Sequence, residues 1–134
     1  MKNVFLIIVS SLVMFGCKDK IEFEFFEKID IEKKIEYPSK LVSKKEQLVH
    51  IFSQKHKPLY SLKDYINYEN FDFDKYDYLL VFGKELLNVK PTKDDCDYLS
   101  KTPIKVNYKI DKKENNSIYV YKFFDKNKYR DLCP

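Results

Sequence analysis

The sequence predicts an α+β domain, in which two short helices pack on an antiparallel β-sheet and the chain ends in a C-terminal β-hairpin. Three features indicate this class: an amphipathic helical pattern over residues 44–54, a continuous apolar run from Tyr78 to Phe82, and two alternating segments at 103–110 and 117–124. Apolar side chains recur with a helical period in the first feature and with a period of two in the third, which separates helix from strand.

Apolar and charged side chains alternate along residues 18–36, with the apolar positions at Ile21, Phe23, Phe25, Ile29 and Ile31. This period of two favours a strand, whereas the high content of Glu and Lys is also compatible with a helix. The first residues of the segment are expected to form a tether, and order is expected to begin between Phe23 and Tyr37. Strand, helix and tether all stay open for this segment.

A helix is predicted over residues 44–54, because Ser43 followed three residues later by Glu46 forms a capping-box pattern. Its apolar face consists of Leu48, Ile51 and Phe52. A second short helix is predicted to begin with Ser61 as its N-cap, and Pro58 separates the two helices. The apolar face of the second helix consists of Leu62, Tyr65 and Ile66.

The run from Tyr78 to Phe82 is typical of a strand that is buried on both faces. Gly83 ends this run or marks a bulge before the next apolar positions. Residues 91–103 (PTKDDCDYLSKTP) are expected to form a loop, since turn-forming and charged residues dominate them.

The two last alternating segments predict the C-terminal hairpin. PIKVNYKI (103–110) alternates apolar with polar side chains, DKKENN is a polar turn, and SIYVYKFF (117–124) returns as the partner strand. Lysines on the open face of the first segment would discourage edge-to-edge association.

The first seventeen residues, MKNVFLIIVSSLVMFGC, have the layout of a secretory signal: Lys2, then a short apolar stretch, then Gly16 and Cys17. The apolar stretch is too short for a bilayer-spanning helix, which needs about 20 residues. Met14-Phe15-Gly16-Cys17 resembles the lipobox of bacterial lipoproteins. The resemblance implies that a diacylglycerol is attached to the Cys17 thiol and that the signal is cut before this residue.

This resemblance sets the expected organisation: a signal peptide at 1–16, a lipid-anchored N-terminal segment at 17–36 that is in part tether, and a single α+β domain at 37–134. Each buried CH₂ contributes about 0.8 kcal/mol, so several acyl chains would anchor the protein firmly to a membrane. The expected location is the cell membrane or the outer membrane, with the domain facing the periplasm or the cell exterior.

Cys96 and Cys133 would be the remaining cysteines after processing. An even pair in an exported chain favours a disulfide between them, and closing a loop of this size contributes about 4 kcal/mol in the chain-entropy model. Two buried free thiols are the alternative. A catalytic cysteine is a further alternative, which no histidine close in sequence supports.

The charge balance disfavours nucleic acid as a partner. The whole chain carries a formal charge of +4, of which Lys2 belongs to the signal. Arg130 is the sole arginine, whereas readers of nucleic acid depend on arginine for bidentate contacts with bases and phosphates.

The sequence contains no complete catalytic or cofactor motif. Gly83 is the only glycine after Gly16, which excludes a glycine-rich loop that cradles phosphate. His50 and His56 do not share a helical face and have no recognised zinc spacing with the cysteines. No catalytic residue, metal ligand or cofactor is therefore assigned.

The triplet Asp72, Asp74 and Asp77 fails as a calcium loop, because Tyr76 and Asp77 stand where an acid and a glycine are required.

Two classes of function stay open. The first is a small anchored binding or interaction module without enzymatic activity, with the membrane as one partner and an envelope protein as another. The alternative is a small envelope hydrolase that uses Asp or Glu side chains. A deep pocket with two carboxylates would favour the hydrolase.

Replacing Cys17 by Ser is expected to abolish acylation and signal removal at this site, because the thiol is the attachment point. Intact-mass spectrometry of detergent-extracted wild type and C17S measures the outcome. Wild-type protein without added lipid mass, or with a mature N-terminus at another residue, would contradict the lipoprotein assignment.

Overall fold

The computed structural model describes residues 21–92, 101–109 and 116–130. Seven strands lie in these ranges, and they are listed here in chain order: β1 (Phe23–Asp30), β2 (Lys40–Val42), β3 (Asp77–Phe82), β4 (Leu86–Pro91), β5 (Thr102–Tyr108), β6 (Ser117–Phe123) and β7 (Tyr129–Arg130). One α-helix, α1 (Lys45–Ser53), and two 3₁₀ helices, Pro58–Tyr65 and Tyr68–Asn70, connect β2 to β3. The predicted α+β class is confirmed.

The strands form two sheets. The central sheet has the order β1-β6-β3-β2, and each neighbouring pair is antiparallel. The outer sheet has the order β4-β5-β7, in which β4 and β5 are antiparallel while β5 and β7 are parallel. The described residues form three layers, since one face of the central sheet packs on the helices and the other packs on the outer sheet.

Strand β3 explains why two cores form. All six of its residues are buried, and successive side chains point to opposite faces. Three of them, Tyr78, Leu80 and Phe82, pack in the core under the helices. Leu79 and Val81 pack in the core under the outer sheet. Alternate residues of the continuous apolar run therefore belong to different cores. This confirms the prediction of a strand that is buried on both faces.

The predicted C-terminal hairpin is wrong in its pairing, although both of its strands exist. Strand β6 is hydrogen-bonded to β1 and β3, and β5 is hydrogen-bonded to β4 and β7 in the other sheet. The physical reason is the burial of β6, whose residues are all buried apart from Lys122. A strand with two apolar faces is stabilised most in the middle of a sheet, where both faces are covered.

The N-terminal segment, which the sequence left open, contributes a strand. β1 pairs antiparallel with β6 and has a bulge between Phe25 and Glu27. Ile29 and Ile31 are buried in the core under the helices. The ordered domain thus begins before the boundary at residue 37 that the sequence suggests, because the apolar positions of this segment are needed to cover the sheet.

Helix α1 matches the predicted span, but its cap differs from the prediction. The Gln47 side chain accepts hydrogen bonds from the backbone N–H groups of Ser43 (2.7 Å) and Lys44 (3.2 Å). The Ser43 carbonyl accepts a hydrogen bond from the Lys126 ammonium at 2.6 Å. Ser43 is thus held outside the helix, and Lys44 becomes the N-cap.

The second helix begins at Pro58, three residues before the predicted start at Ser61. Proline fits the first position of a helix, where its missing N–H would have no partner in any case. The Ser61 hydroxyl donates to the Pro58 carbonyl at 3.0 Å, so Ser61 lies inside the helix. Leu59 and Leu62 are its buried residues, while Tyr65 is 39% exposed.

Asp77, at the start of β3, is a fully buried carboxylate. The Lys126 ammonium lies 3.6 Å from its Oδ1 atom, and the backbone N–H of Asn127 donates to its Oδ2 atom at 2.7 Å. Asn127 has φ 62°, a left-handed conformation that asparagine tolerates well. Through Lys126 and the Ser43 carbonyl, this cluster joins β3, the turn before β7 and the start of α1.

Replacing Asp77 by Ala should destabilise the fold by about 3 kcal/mol, because the Lys126 ammonium loses its buried partner and the Asn127 N–H loses its acceptor. Urea unfolding monitored by circular dichroism measures the change. Glu69→Ala is the matched control: its ion pair with Lys45 is shorter, at 2.8 Å, but the Glu69 side chain is 82% exposed. Equal losses in the two variants would contradict this account.

Candidate ligand-binding groove

An open groove of about 470 Å³ lies at the end of β3, between the segment that leads into β2 and the end of β5. Its walls come from three parts of the chain, and the lining residues are Lys34, Ile35, Glu36, Tyr37, Pro38, Ser39, Val81, Phe82, Gly83, Lys84 and Tyr108. The size falls in the range of about 300–1,000 Å³ that is usual for small-ligand sites.

One wall of the groove is aromatic. The rings of Tyr37 and Phe82 meet edge to face with their centroids 5.5 Å apart, a geometry that the charge distribution of aromatic rings favours. The Lys40 ammonium lies 5.9 Å from the centroid of Tyr37. Phe82 is buried in the core under the helices, so this wall is fixed to the central sheet.

Hydroxyl groups form a further part of the lining. The Tyr108 hydroxyl and the Ser39 hydroxyl are hydrogen-bonded to each other, and Ser39 is only 4% exposed. This bond joins the end of β5, in the outer sheet, to the residue before β2, in the central sheet. It therefore links two of the chain segments that line the groove.

Lys84 is the cation that faces the groove without a carboxylate partner among the described residues. Its ammonium lies 5.4 Å from the ring centroid of Tyr108, within the range of a cation–π contact. The other lining cation, Lys34, forms an ion pair with Glu36 at 3.5 Å. An anionic group in the groove would therefore find its nearest uncompensated charge at Lys84.

Gly83 sets the position of Lys84. Its φ is 71°, in the left-handed region that glycine reaches without steric cost. Its N–H donates to the Ser117 carbonyl at 2.8 Å, so β3 ends here and the chain turns toward β4. Of the two roles expected for Gly83, the structure therefore shows the end of the strand and not a bulge.

The chemistry that these residues offer is recognition by stacking, hydrogen bonding and charge. Of the described residues that line the groove, Glu36 alone carries a carboxylate, and it is held by Lys34. His50 lies outside the lining, on the exposed side of α1, where its ring nitrogen is 2.6 Å from Gln54. The described lining therefore offers aromatic rings, hydroxyl groups and an ammonium, and it contains no pair of carboxylates.

The predicted site residues Cys17, Cys96 and Cys133 lie outside the described residues, so their lipidation and disulfide stay predictions. Within the ranges 21–92, 101–109 and 116–130, no group of three or more His, Cys, Asp or Glu side chains could hold a metal ion. In the same ranges, no helix has the length and apolar character needed to cross a membrane.

Sequence reasoning missed the groove, since Tyr37, Ser39, Lys84 and Tyr108 come from distant segments and carry no motif. Gly83 was the only local signal. Comparisons with protein families, with curated proteins and with solved structures find no match for this chain.

Replacing Tyr108 by Phe should destabilise the fold by about 1–2 kcal/mol, because the buried Ser39 hydroxyl loses this partner. Adding Ser39→Ala to the Tyr108→Phe variant should then lower the free energy of unfolding only slightly further. Chemical denaturation of the two single variants and the double variant gives the coupling free energy, which is expected to be about 1 kcal/mol. Additive losses would show that the two hydroxyls do not stabilise each other.

Proposed function

We propose that this protein is a small lipid-anchored protein of the cell envelope whose domain is a non-enzymatic binding module. The groove is its ligand site, and the membrane holds the opposite end of the domain. The observation that carries this proposal is the position of the groove relative to the point where the chain enters the fold.

The strand directions define that position. β1 and β3 both run antiparallel to β6, so they run in the same direction. Phe23 and Asp77 are both paired with Phe123 at the entry end of the sheet. At the other end, Ile29 and Phe82 are both paired with Ile118.

The groove lies at the far end of the central sheet, because Phe82 lines it. The six residues of β3 span about 20 Å at roughly 3.4 Å per residue. A chain anchored at Cys17 enters at the near end. The groove would then open away from the membrane, toward soluble or surface-bound partners.

The groove residues indicate the chemistry of the ligand. The aromatic wall of Tyr37 and Phe82 fits an apolar or planar group, and the Ser39 and Tyr108 hydroxyls fit a hydrogen-bonding group beside it. The Lys84 ammonium fits an anionic group such as a carboxylate. A segment of an envelope protein that combines an apolar and an acidic side chain has this composition.

The second class, a hydrolase that uses Asp or Glu, receives no support from the groove. Paired carboxylates in such sites lie about 5–9.5 Å apart across the substrate. Glu36 is the one carboxylate among the described lining residues, and it belongs to an ion pair. Binding without catalysis is therefore the better account of these side chains.

Site-specific photo-crosslinking tests the groove in the full chain, expressed in bacterial cells. Benzoylphenylalanine in place of Tyr37 should give a discrete adduct, and Lys84→Glu should weaken this adduct by about tenfold if an anionic group is bound. Benzoylphenylalanine in place of Leu87, which is 62% exposed on β4, is the matched control.

The proposal is supported if the adduct at position 37 is absent at position 87 and weakened by the Lys84 substitution. Identical adducts at both positions would contradict a specific groove. An adduct at position 37 that is unchanged by Lys84→Glu would contradict an anionic ligand.

A further inference from the structure

The chain between the proposed lipid anchor and the fold is short. Four residue spacings separate Cys17 from Ile21, and a fully extended chain covers at most about 3.6 Å for each, or roughly 14 Å in total. Ile21 is 4% exposed and packs in the core under the outer sheet. The entry end of the domain would therefore stay within this distance of the acyl chains.

The fold places an aromatic patch beside this entry point. The Glu22 carbonyl accepts a hydrogen bond from the backbone N–H of Phe124 at 3.3 Å, which fixes Phe124 next to the entering chain. Phe124 is 40% exposed, and its ring meets that of Tyr76 edge to face at 5.5 Å. Two exposed or half-exposed rings thus stand where the chain enters the fold.

Lys122 completes this patch. Its ammonium lies 4.7 Å from the ring centroid of Tyr76 and 5.9 Å from that of Phe124. A hydrogen bond to Glu24, 2.7 Å away, raises the pKa of Lys122 above its ordinary value. The patch, defined as Tyr76, Lys122 and Phe124, thus combines aromatic rings with a lysine that stays charged at neutral pH.

We infer that the Tyr76–Lys122–Phe124 patch rests on the surface of the membrane that holds the lipid anchor. This inference rests on the proposed anchoring at Cys17. Aromatic rings and lysines whose stems lie along apolar surface are the side chains that occupy the boundary between headgroups and acyl chains. The short connection between Cys17 and Ile21 keeps the patch close to that boundary.

The partner is the lipid interface in general and not an anionic headgroup. Lys122 is already paired with Glu24, and in the neighbouring turn Lys126 lies against Asp77 and Lys128 against Asp125. These three lysines therefore offer little uncompensated positive charge. Contact should depend on insertion of the rings and only weakly on the charge of the lipids.

Tryptophan fluorescence gives a direct test, because the chain contains no tryptophan. Full-length Phe124→Trp protein is extracted in detergent and reconstituted into phosphatidylcholine vesicles with and without dibrominated acyl chains. The bromine atoms should quench its emission by about twofold, since a ring at the interface reaches the upper acyl region. Vesicles that also contain phosphatidylglycerol should give the same quenching.

Leu87→Trp is the matched control, because Leu87 is an exposed apolar residue on the outer sheet, shortly after the turn at Gly83. Its emission should be the same in brominated and unbrominated vesicles. Intact-mass spectrometry of the same samples reports whether Cys17 carries acyl groups.

Quenching of Phe124→Trp but not of Leu87→Trp in acylated protein supports the inference. Acylated protein in which neither tryptophan is quenched, or in which both are quenched equally, overturns the membrane-facing patch and leaves the anchor intact. Protein without acyl groups overturns the anchor and this inference together.

Discussion

The structure depends on one constraint: the paired strands β3 and β6 must be covered on both faces. Leu80 and Val120 lie opposite each other in the register and pack under the helices, while Leu79 and Tyr121 do the same under the outer sheet. Each buried aliphatic or aromatic side chain contributes about 1.5–3 kcal/mol. If the side chains on either face of this strand pair were exposed to water, the domain would lose much of its stability.

The positions of the candidate groove and of the point where the chain enters the fold follow from this central pair. Strands β1 and β2 are added at its two sides, so the chain enters at one end of the sheet and the segment before β2 crosses at the other. The Asp77–Lys126 cluster fastens the entry end to the turn before β7. The Ser39–Tyr108 bond joins the two sheets at the far end. The point where the chain enters the fold and the candidate groove are thereby separated by the full length of the strands.

Much of this fold could be predicted from the sequence where a local pattern determines the outcome. Helix α1 follows from the spacing of Leu48 and Phe52, and β3 follows from a run of apolar residues with no charge between Tyr78 and Phe82. Strand pairing could not be predicted in the same way, because alternation shows that a strand exists and not which strand lies beside it. A polar turn between β5 and β6 suggested a hairpin that the structure does not contain.

The composition of β6 indicates its central position in the sheet. Ile118 to Tyr121 is apolar at every position, which is the pattern of a central strand covered on both faces. β5, in contrast, alternates Ile104 and Val106 with polar residues and belongs in a sheet with one open face. The groove was beyond local reasoning, since Tyr37, Lys84 and Tyr108 meet only after the two sheets have packed together.

The most direct test of the central pair is a nuclear Overhauser spectrum of the folded domain, read for contacts between backbone protons of neighbouring strands. Strand β6 should show cross-strand contacts with β3, as between Tyr121 and Leu79, and with β1, as between Tyr121 and Phe25. Cross-strand contacts between β6 and β5, as between Tyr119 and Val106, would show a C-terminal hairpin and contradict the account.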